Sequence, residues 1–231
     1  NICNRYSCMI IKNIKVEESP SWLKKKIKSI GQNSINNIVD IANYIMFDLG
    51  QPLHAFDLDK INGNKIQVRI AKDKEKIICL DGVNKKLSND DIVISDSKGA
   101  IAIAGVIGGL NSHVDSDTKN ILLESAIFNP INIRKTARKH DYSKEASKRF
   151  ERGIDYKNVL FAMNKFASIL QEISNCKVAN DYIDIKINKY SSTEIVFNLE
   201  KCNKFLGIDL KEKEVKNIFD NLSNKVKNNK N

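Results

Sequence analysis

From residue 19 to residue 50 apolar side chains return every three to four positions, the helical period. In SPSWLKKKIKSIG, residues 19–31, Trp22, Leu23, Ile27 and Ile30 share a face, and Gly31 supplies a left-handed stop. SINNIVDIANYIMFDLG, residues 34–50, repeats the pattern through Ile38, Val39, Ala42, Ile45, Met46 and Leu49, with Ser34 as the expected N-cap and Gly50 as the stop. The following segment, GQPLHAFD, puts His54 in what reads as a loop leaving this second helix. By itself this is a hydrogen-bonded loop histidine packed on the core, since nothing local demands catalysis.

The period then changes. KIQVRIA (65–71) alternates, KIICLDG (76–82) ends on a turn dipeptide, and DIVISDSKGAIAIAGVIGG (91–109) reads as two strands joined through Ser97-Lys98-Gly99. NILLESAIF (120–128) is a further apolar strand broken by one acid, Glu124, after which Asn129-Pro130 opens a helix. A longer amphipathic helix is expected over residues 156–174, and DYIDIKI (181–187) closes the region as a strand. Ser191-Ser192-Thr193 reads as a linker. Beyond it, EIVFNLEKCNKFLG and LKEKEVKNIFDNL suggest a strand and two helices, and SNKVKNNKN (223–231) has no apolar period. A strand and two helices are half a domain at best. These elements predict a mixed α/β fold, α+β in its segregation, with a mostly antiparallel central sheet flanked by helices and a partial second domain.

Composition narrows the class. At 42% apolar and 29% charged residues the chain reads as an ordinary soluble globular protein, with no apolar run approaching the roughly 20 residues of a membrane span and no signal peptide at its start. Its five cysteines include no C-x-x-C pair, which argues for reduced thiols and against a disulfide framework or zinc site. The net charge of +10 favours a polyanionic partner, although many lysines are simply solvated surface. Residues 134–152 concentrate half of that excess, eight Lys or Arg against three acids. Arg134, Arg138, Lys139 and Lys144 are the candidate phosphate contacts there.

Other chemistry is thin. GVIGG at 105–109 lacks the lysine and serine of a P-loop and the spacing of a dinucleotide fingerprint. Its glycines suit close approach of a ligand or another strand, and its N–H groups could form an oxyanion site. His54, His113 and His140 show no metal spacing. Glu124 either points to solvent by strand alternation or accepts a hydrogen bond inside a pocket, because a carboxylate is expensive to bury without a partner.

Three stretches, SINNIVDIANYIMFDLGQPLHAFD, AIAGVIGG with NILLESAIFNPINI behind it, and EASKRFERGID, are similar in order and spacing to bacterial phenylalanyl-tRNA synthetase beta chains. The resemblance covers nearly the whole chain. It implies a B3/B4 editing module over 1–188 and the beginning of a B5 domain over 192–231. In that family the module hydrolyses tyrosine wrongly esterified to phenylalanine tRNA, tRNA(Phe). A pocket selected for Phe cannot strongly exclude a ring that merely adds a hydroxyl, whereas a second site can demand that hydroxyl. The resemblance carries the tyrosine-hydroxyl acceptor onto Glu124, the catalytic-site histidine near the ester onto His54, and pocket positions onto Gly105, Gly108, Asn43 and Ala146. Three positions depart: Asn33, Ala42 and Lys144 stand where the family usually has Arg, Thr and Thr, thinning the polar network around the adenosine end. The resemblance further implies an alpha subunit as partner in a heterotetramer of two alpha and two beta chains, a cytoplasmic location, and ATP and Mg2+ for the complete synthetase but no cofactor for this piece. An editing-deficient tRNA-docking module of the same synthetase is the alternative.

Overall fold

The structure is a computed structural model that describes residues 2–187, 191 and 193–227. In chain order the elements are β1 (Cys3–Lys12), α1 (Ser21–Ser29), α2 (Asn37–Leu49), β2 (Leu53–Asp57), β3 (Gln67–Ile70), β4 (Lys76–Ile78), β5 (Asn84–Lys86), β6 (Ile92–Ser95), β7 (Ala100–Ile103), β8 (Ile107–Gly108), β9 (Asn120–Phe128), α3 (Pro130–Lys139), α4 (Glu145–Phe150), α5 (Asn158–Ile173), β10 (Lys177–Lys186), α6 (Leu199–Leu206) and α7 (Glu212–Asn221). The chain divides into two compact units, Asn1–Lys189 and Tyr190–Asn231.

The first unit is α+β. Its main sheet runs β10-β1-β9-β2, antiparallel throughout, and a second antiparallel sheet runs β3-β6-β7-β8, with β4 and β5 as a separate hairpin. The main sheet is covered on both faces. Met9, Ile11, Ile121 and Leu123 pack with Leu23 and Ile27 of α1, Ile41 and Ile45 of α2, and Phe166 and Leu170 of α5. On the other face Tyr6, Cys8, Phe56, Ala126 and Phe128 pack with Val93, Ile94, Ile101 and Ile103 of the second sheet and with Ile133 and Phe150 of α3 and α4. Alternate residues of one strand therefore enter two different cores.

Several local expectations hold. Asn129 caps α3 by accepting from the N–H groups of Ile131 and Asn132, and Gly50 ends α2 at φ 73°. Others are corrected. Ser34 is not the cap of α2: Asn36 accepts from the Val39 N–H at 2.9 Å, while Ser34 Oγ donates to the buried Asp40. His54 is not in a loop but on β2, the edge strand of the main sheet. The sequence carries no strand signal over β1, because CNRYSCMIIK is buried on both faces and shows no alternation. Arg5 locks that strand to β10 by donating twice to Asp184, at 2.8 and 2.9 Å, and Ser7 adds a third bond at 2.7 Å, which holds the Asp184 carboxyl well below the usual range despite its burial.

In the second unit Asn198 caps α6 and Phe197 meets Phe219 edge-on at 5.2 Å. The strand expected at EIVF does not form: residues 193–198 pair with no strand among the described residues, and Ile195 and Val196 stand 84% and 89% exposed. A strand needs a neighbour to fill its hydrogen bonds. Ser192 of the expected linker and residues 228–231 of the expected tail lie outside the described residues.

Candidate functional site

The sheet register assembles the site. Glu124 on β9 lies opposite Cys8 on β1 and opposite His54 on β2, so these three side chains share a face, the one turned toward the second sheet. The solvent-facing alternative for Glu124 is excluded, since it is 5% exposed. Its Oε2 accepts a 2.8 Å hydrogen bond from the hydroxyl of Tyr6, also buried, one register step away opposite Ala126. Desolvation pushes the Glu124 carboxyl up to about 7, and the Tyr6 bond pulls against that rise. The same dryness lifts the Cys3 and Cys8 thiols to about 12 and about 11, with the Glu124 charge adding to both.

His54 is partly exposed at the sheet edge, yet burial of its ring lowers it to about 4, so it is neutral at physiological pH. It stands edge-on to Phe56 at 4.4 Å between centroids and makes no hydrogen bond among the described residues. A neutral imidazole with uncommitted nitrogens can orient a water or a ribose hydroxyl.

The two glycines, Gly105 and Gly108, do different things. A Cβ on Gly108 would lie 2.9 Å from His54 Cε1, so this residue makes room for the imidazole. Gly105 sits at φ 66°, and its Cβ would meet Phe150 at 2.9 Å and Ile133 and Phe128 at 3.2 Å; it seats the loop on the aromatic core. Two N–H groups of the GVIGG loop are already engaged: that of Val106 donates to Ile103 O and that of Gly109 to Ile101 O.

Ala146 on α4 is half-buried against the cluster that holds Tyr6 and Phe56. Asn43 on α2 is half-buried, and α2 reaches α4 through Arg149, whose guanidinium lies 4.6 Å from the Phe47 ring centroid. Of the departures, Asn33 is exposed, Ala42 packs into the helix-side core on the far face of the sheet, and the exposed Lys144 holds its ammonium 6.0 Å from the Tyr142 ring.

The basic stretch splits in two. Arg134, Lys135 and Arg138 lie on the exposed side of α3, and among the described residues they and Lys144 form no ion pair. Lys139 instead donates to Asp91 at 2.9 Å, beside Thr136, Ser88 and His140, and Lys148 and Arg149 both pair with Glu145. Asp91 is completely buried, and although burial works the other way, Lys139 leads the bonds that keep its carboxyl below the usual range. Lys139 therefore anchors α3 to the core. Sequence reasoning missed Tyr6 altogether, because β1 offered no alternation to read and only the strand pairing brings its hydroxyl to Glu124.

The B3/4 domain family matches residues 2–175. The chain belongs to that family. Over 225 residues, 97% of its length, it is 48% identical to the phenylalanine–tRNA ligase beta subunit of Fusobacterium nucleatum and 43% identical to that of Carboxydothermus hydrogenoformans. It spans 28% of the length of each. Among solved structures, an N-terminal fragment of the phenylalanyl-tRNA synthetase beta subunit from Pyrococcus horikoshii shares the fold, with a TM-score of 0.51 at 16% identity over 93% of this chain and 59% of that one. Within this B3/4 chain no helix of the described residues is long and apolar enough to cross a membrane, and no group of three His, Cys, Asp or Glu among them could hold a metal ion.

Proposed function

We propose that this B3/4 chain is the editing part of a phenylalanine–tRNA ligase beta subunit and hydrolyses tyrosine mis-esterified to tRNA(Phe). One observation carries the reading: Glu124, a carboxylate in an otherwise apolar patch, is already matched to a phenol, that of Tyr6 at 2.8 Å. With Oε2 held by Tyr6, a phenylalanine ring beside Glu124 would leave the other oxygen, Oε1, without a donor, the arrangement that discriminates hydroxyl-bearing from hydroxyl-free substrates most strongly. His54, opposite Glu124 in the ladder, would face the ester end. Neutral His54 accepts a hydrogen bond from the attacking water. The water oxygen bonds to the carbonyl carbon, the ester bond to the ribose oxygen breaks, and the proton lost by water ends on that ribose oxygen. A group held to about 4 is a weak base, so His54 orients the water more than it stores the proton.

In this reading Arg134, Arg138 and Lys144 meet tRNA phosphates, Gly105, Gly108, Asn43 and Ala146 border the pocket, and residues 192–231 begin a B5-like domain. The alpha subunit completes the ligase in the cytoplasm. In the same reading ATP and Mg2+ serve adenylation elsewhere in the complete synthetase, and this piece does not aminoacylate alone. A second reading, an editing-deficient docking module, is favoured by Ala42 lying in the helix-side core and by Asn33 and Lys144 being solvated. Deacylation of Tyr-tRNA(Phe) by the assembled synthetase separates the two. The editing reading expects Tyr-ester hydrolysis that Glu124→Ala makes indifferent to the ring and that a His54 substitution lowers for both esters. Stable Tyr-tRNA(Phe) in the presence of the unaltered enzyme would establish the second.

A further inference from the structure

The Tyr6–Glu124 bond carries an inference about how the pocket recognises its ligand, and it rests on the editing reading above. Glu124 has two oxygens, and only Oε2 is engaged, by the Tyr6 hydroxyl at 2.8 Å. Oε1 makes no hydrogen bond among the described residues, yet it is not sealed off: the one sealed, unpartnered side-chain atom among them is Gln51 Oε1. Tyr6 cannot drift, because its strand is paired on both sides, with β10 and with β9, and its ring is buried. We propose that Tyr6 is the positioning residue for tyrosine recognition: its hydroxyl fixes the plane of the Glu124 carboxylate from within the sheet and leaves Oε1 as the single acceptor for a phenolic ligand. A carboxylate free to rotate would divide its lone pairs between poses and lose directional discrimination.

The electrostatics agree. Facing Glu124 are Tyr6, Cys3 and Cys8 from β1 and His54 from β2, and among the described residues no cation acts on the ionised carboxylate. The Tyr6 hydrogen bond is the one interaction opposing desolvation there.

The test uses the full chain and two non-hydrolysable probes, adenosine carrying tyrosine or phenylalanine through a 3′-amide. In Tyr6→Phe, which keeps the ring, the ratio of tyrosyl to phenylalanyl affinity should fall by about tenfold, the scale of one hydrogen bond to a charged group, with the phenylalanyl probe unaffected. Glu124, followed by carbon NMR of labelled glutamate, should titrate higher than in the unaltered protein. 3-Fluorotyrosine at position 6, a stronger donor of nearly the same shape, should move that titration the other way and covers the case of a poorly folded Tyr6→Phe. An unchanged affinity ratio in Tyr6→Phe, when Glu124→Gln does lower it, overturns the role of Tyr6 and leaves the editing reading standing. Tighter tyrosyl binding in Tyr6→Phe also overturns it, since Tyr6 would then be a competitor for Glu124. A ratio indifferent to both substitutions defeats the editing reading and the inference together.

Discussion

Replacing Glu124 with Gln should stabilise the first unit above neutral pH and have little effect in mild acid. The carboxyl is raised by burial from an ordinary 4.5 to about 7, so the folded chain holds this proton more tightly than the unfolded one. Between those values the folded state binds more protons, and stability must fall as pH rises through the window, levelling off above about 7. At ~1.4 kcal/mol per unit, the shift from 4.5 to about 7 corresponds to ~3 kcal/mol of stability forgone at pH 8. Glutamine is isosteric, still accepts from Tyr6 and never ionises. Its amide introduces a pH-independent penalty of about 1 kcal/mol if one N–H stays unpaired. Urea unfolding of unaltered and Glu124→Gln chains at about pH 4.5 and about pH 8 should therefore give a variant slightly less stable in acid and clearly more stable in base. His54 titrates in the opposite sense, its lowered folded value of about 4 removing stability as pH falls from 6.5, but that contribution is common to both chains and drops out of the difference. A variant-minus-parent difference that is the same at both pH values would refute the reasoning, because Glu124 would then titrate alike folded and unfolded.

Gly108→Ala should displace the His54 ring, since the new Cβ would sit 2.9 Å from Cε1; overpacking of this kind costs about 1–3 kcal/mol in chemical denaturation, and Tyr-ester hydrolysis should fall with it. Gly105→Ala should be the more damaging, with three aromatic or branched neighbours within 3.2 Å and a left-handed φ; a Tm shift smaller than that of Gly108→Ala would contradict this ranking. Arg134→Gln with Arg138→Gln should weaken tRNA binding by the assembled synthetase and flatten its salt dependence by about one to two units of slope, and unchanged binding across salt concentrations would make these charges mere solvated surface. Lys139→Gln should instead lower stability by about 1 kcal/mol, because it leaves the buried Asp91 short of a partner, and should leave the salt slope nearly unchanged.

Local sequence determined the elements whose signals are local. The period of α1, α2 and α5, the Asn-Pro start of α3, the left-handed stop at Gly50, the alternation of KIQVRIA around β3 and the turn at Ser97-Lys98-Gly99 between two short apolar runs are all signals carried within a short segment. The long motifs likewise carried the family, because SINNIVDIANYIMFDLGQPLHAFD and NILLESAIFNPINI are specific without any fold. Segments that meet two faces, or none, were decided by tertiary structure. β1 enters two cores and so shows no period, EIVF has an apolar strand pattern but no neighbour to pair with, and β2 becomes a strand because β9 offers it an edge. The site belongs to this second kind. The sequence marked Glu124 as unusual, and only the resemblance paired it with His54. What makes Glu124 a raised, phenol-bonded acid is the antiparallel register that sets Tyr6, Cys8 and His54 around it and excludes water, and residues 118 positions apart, as Tyr6 and Glu124 are, acquire that relation only when the sheet forms.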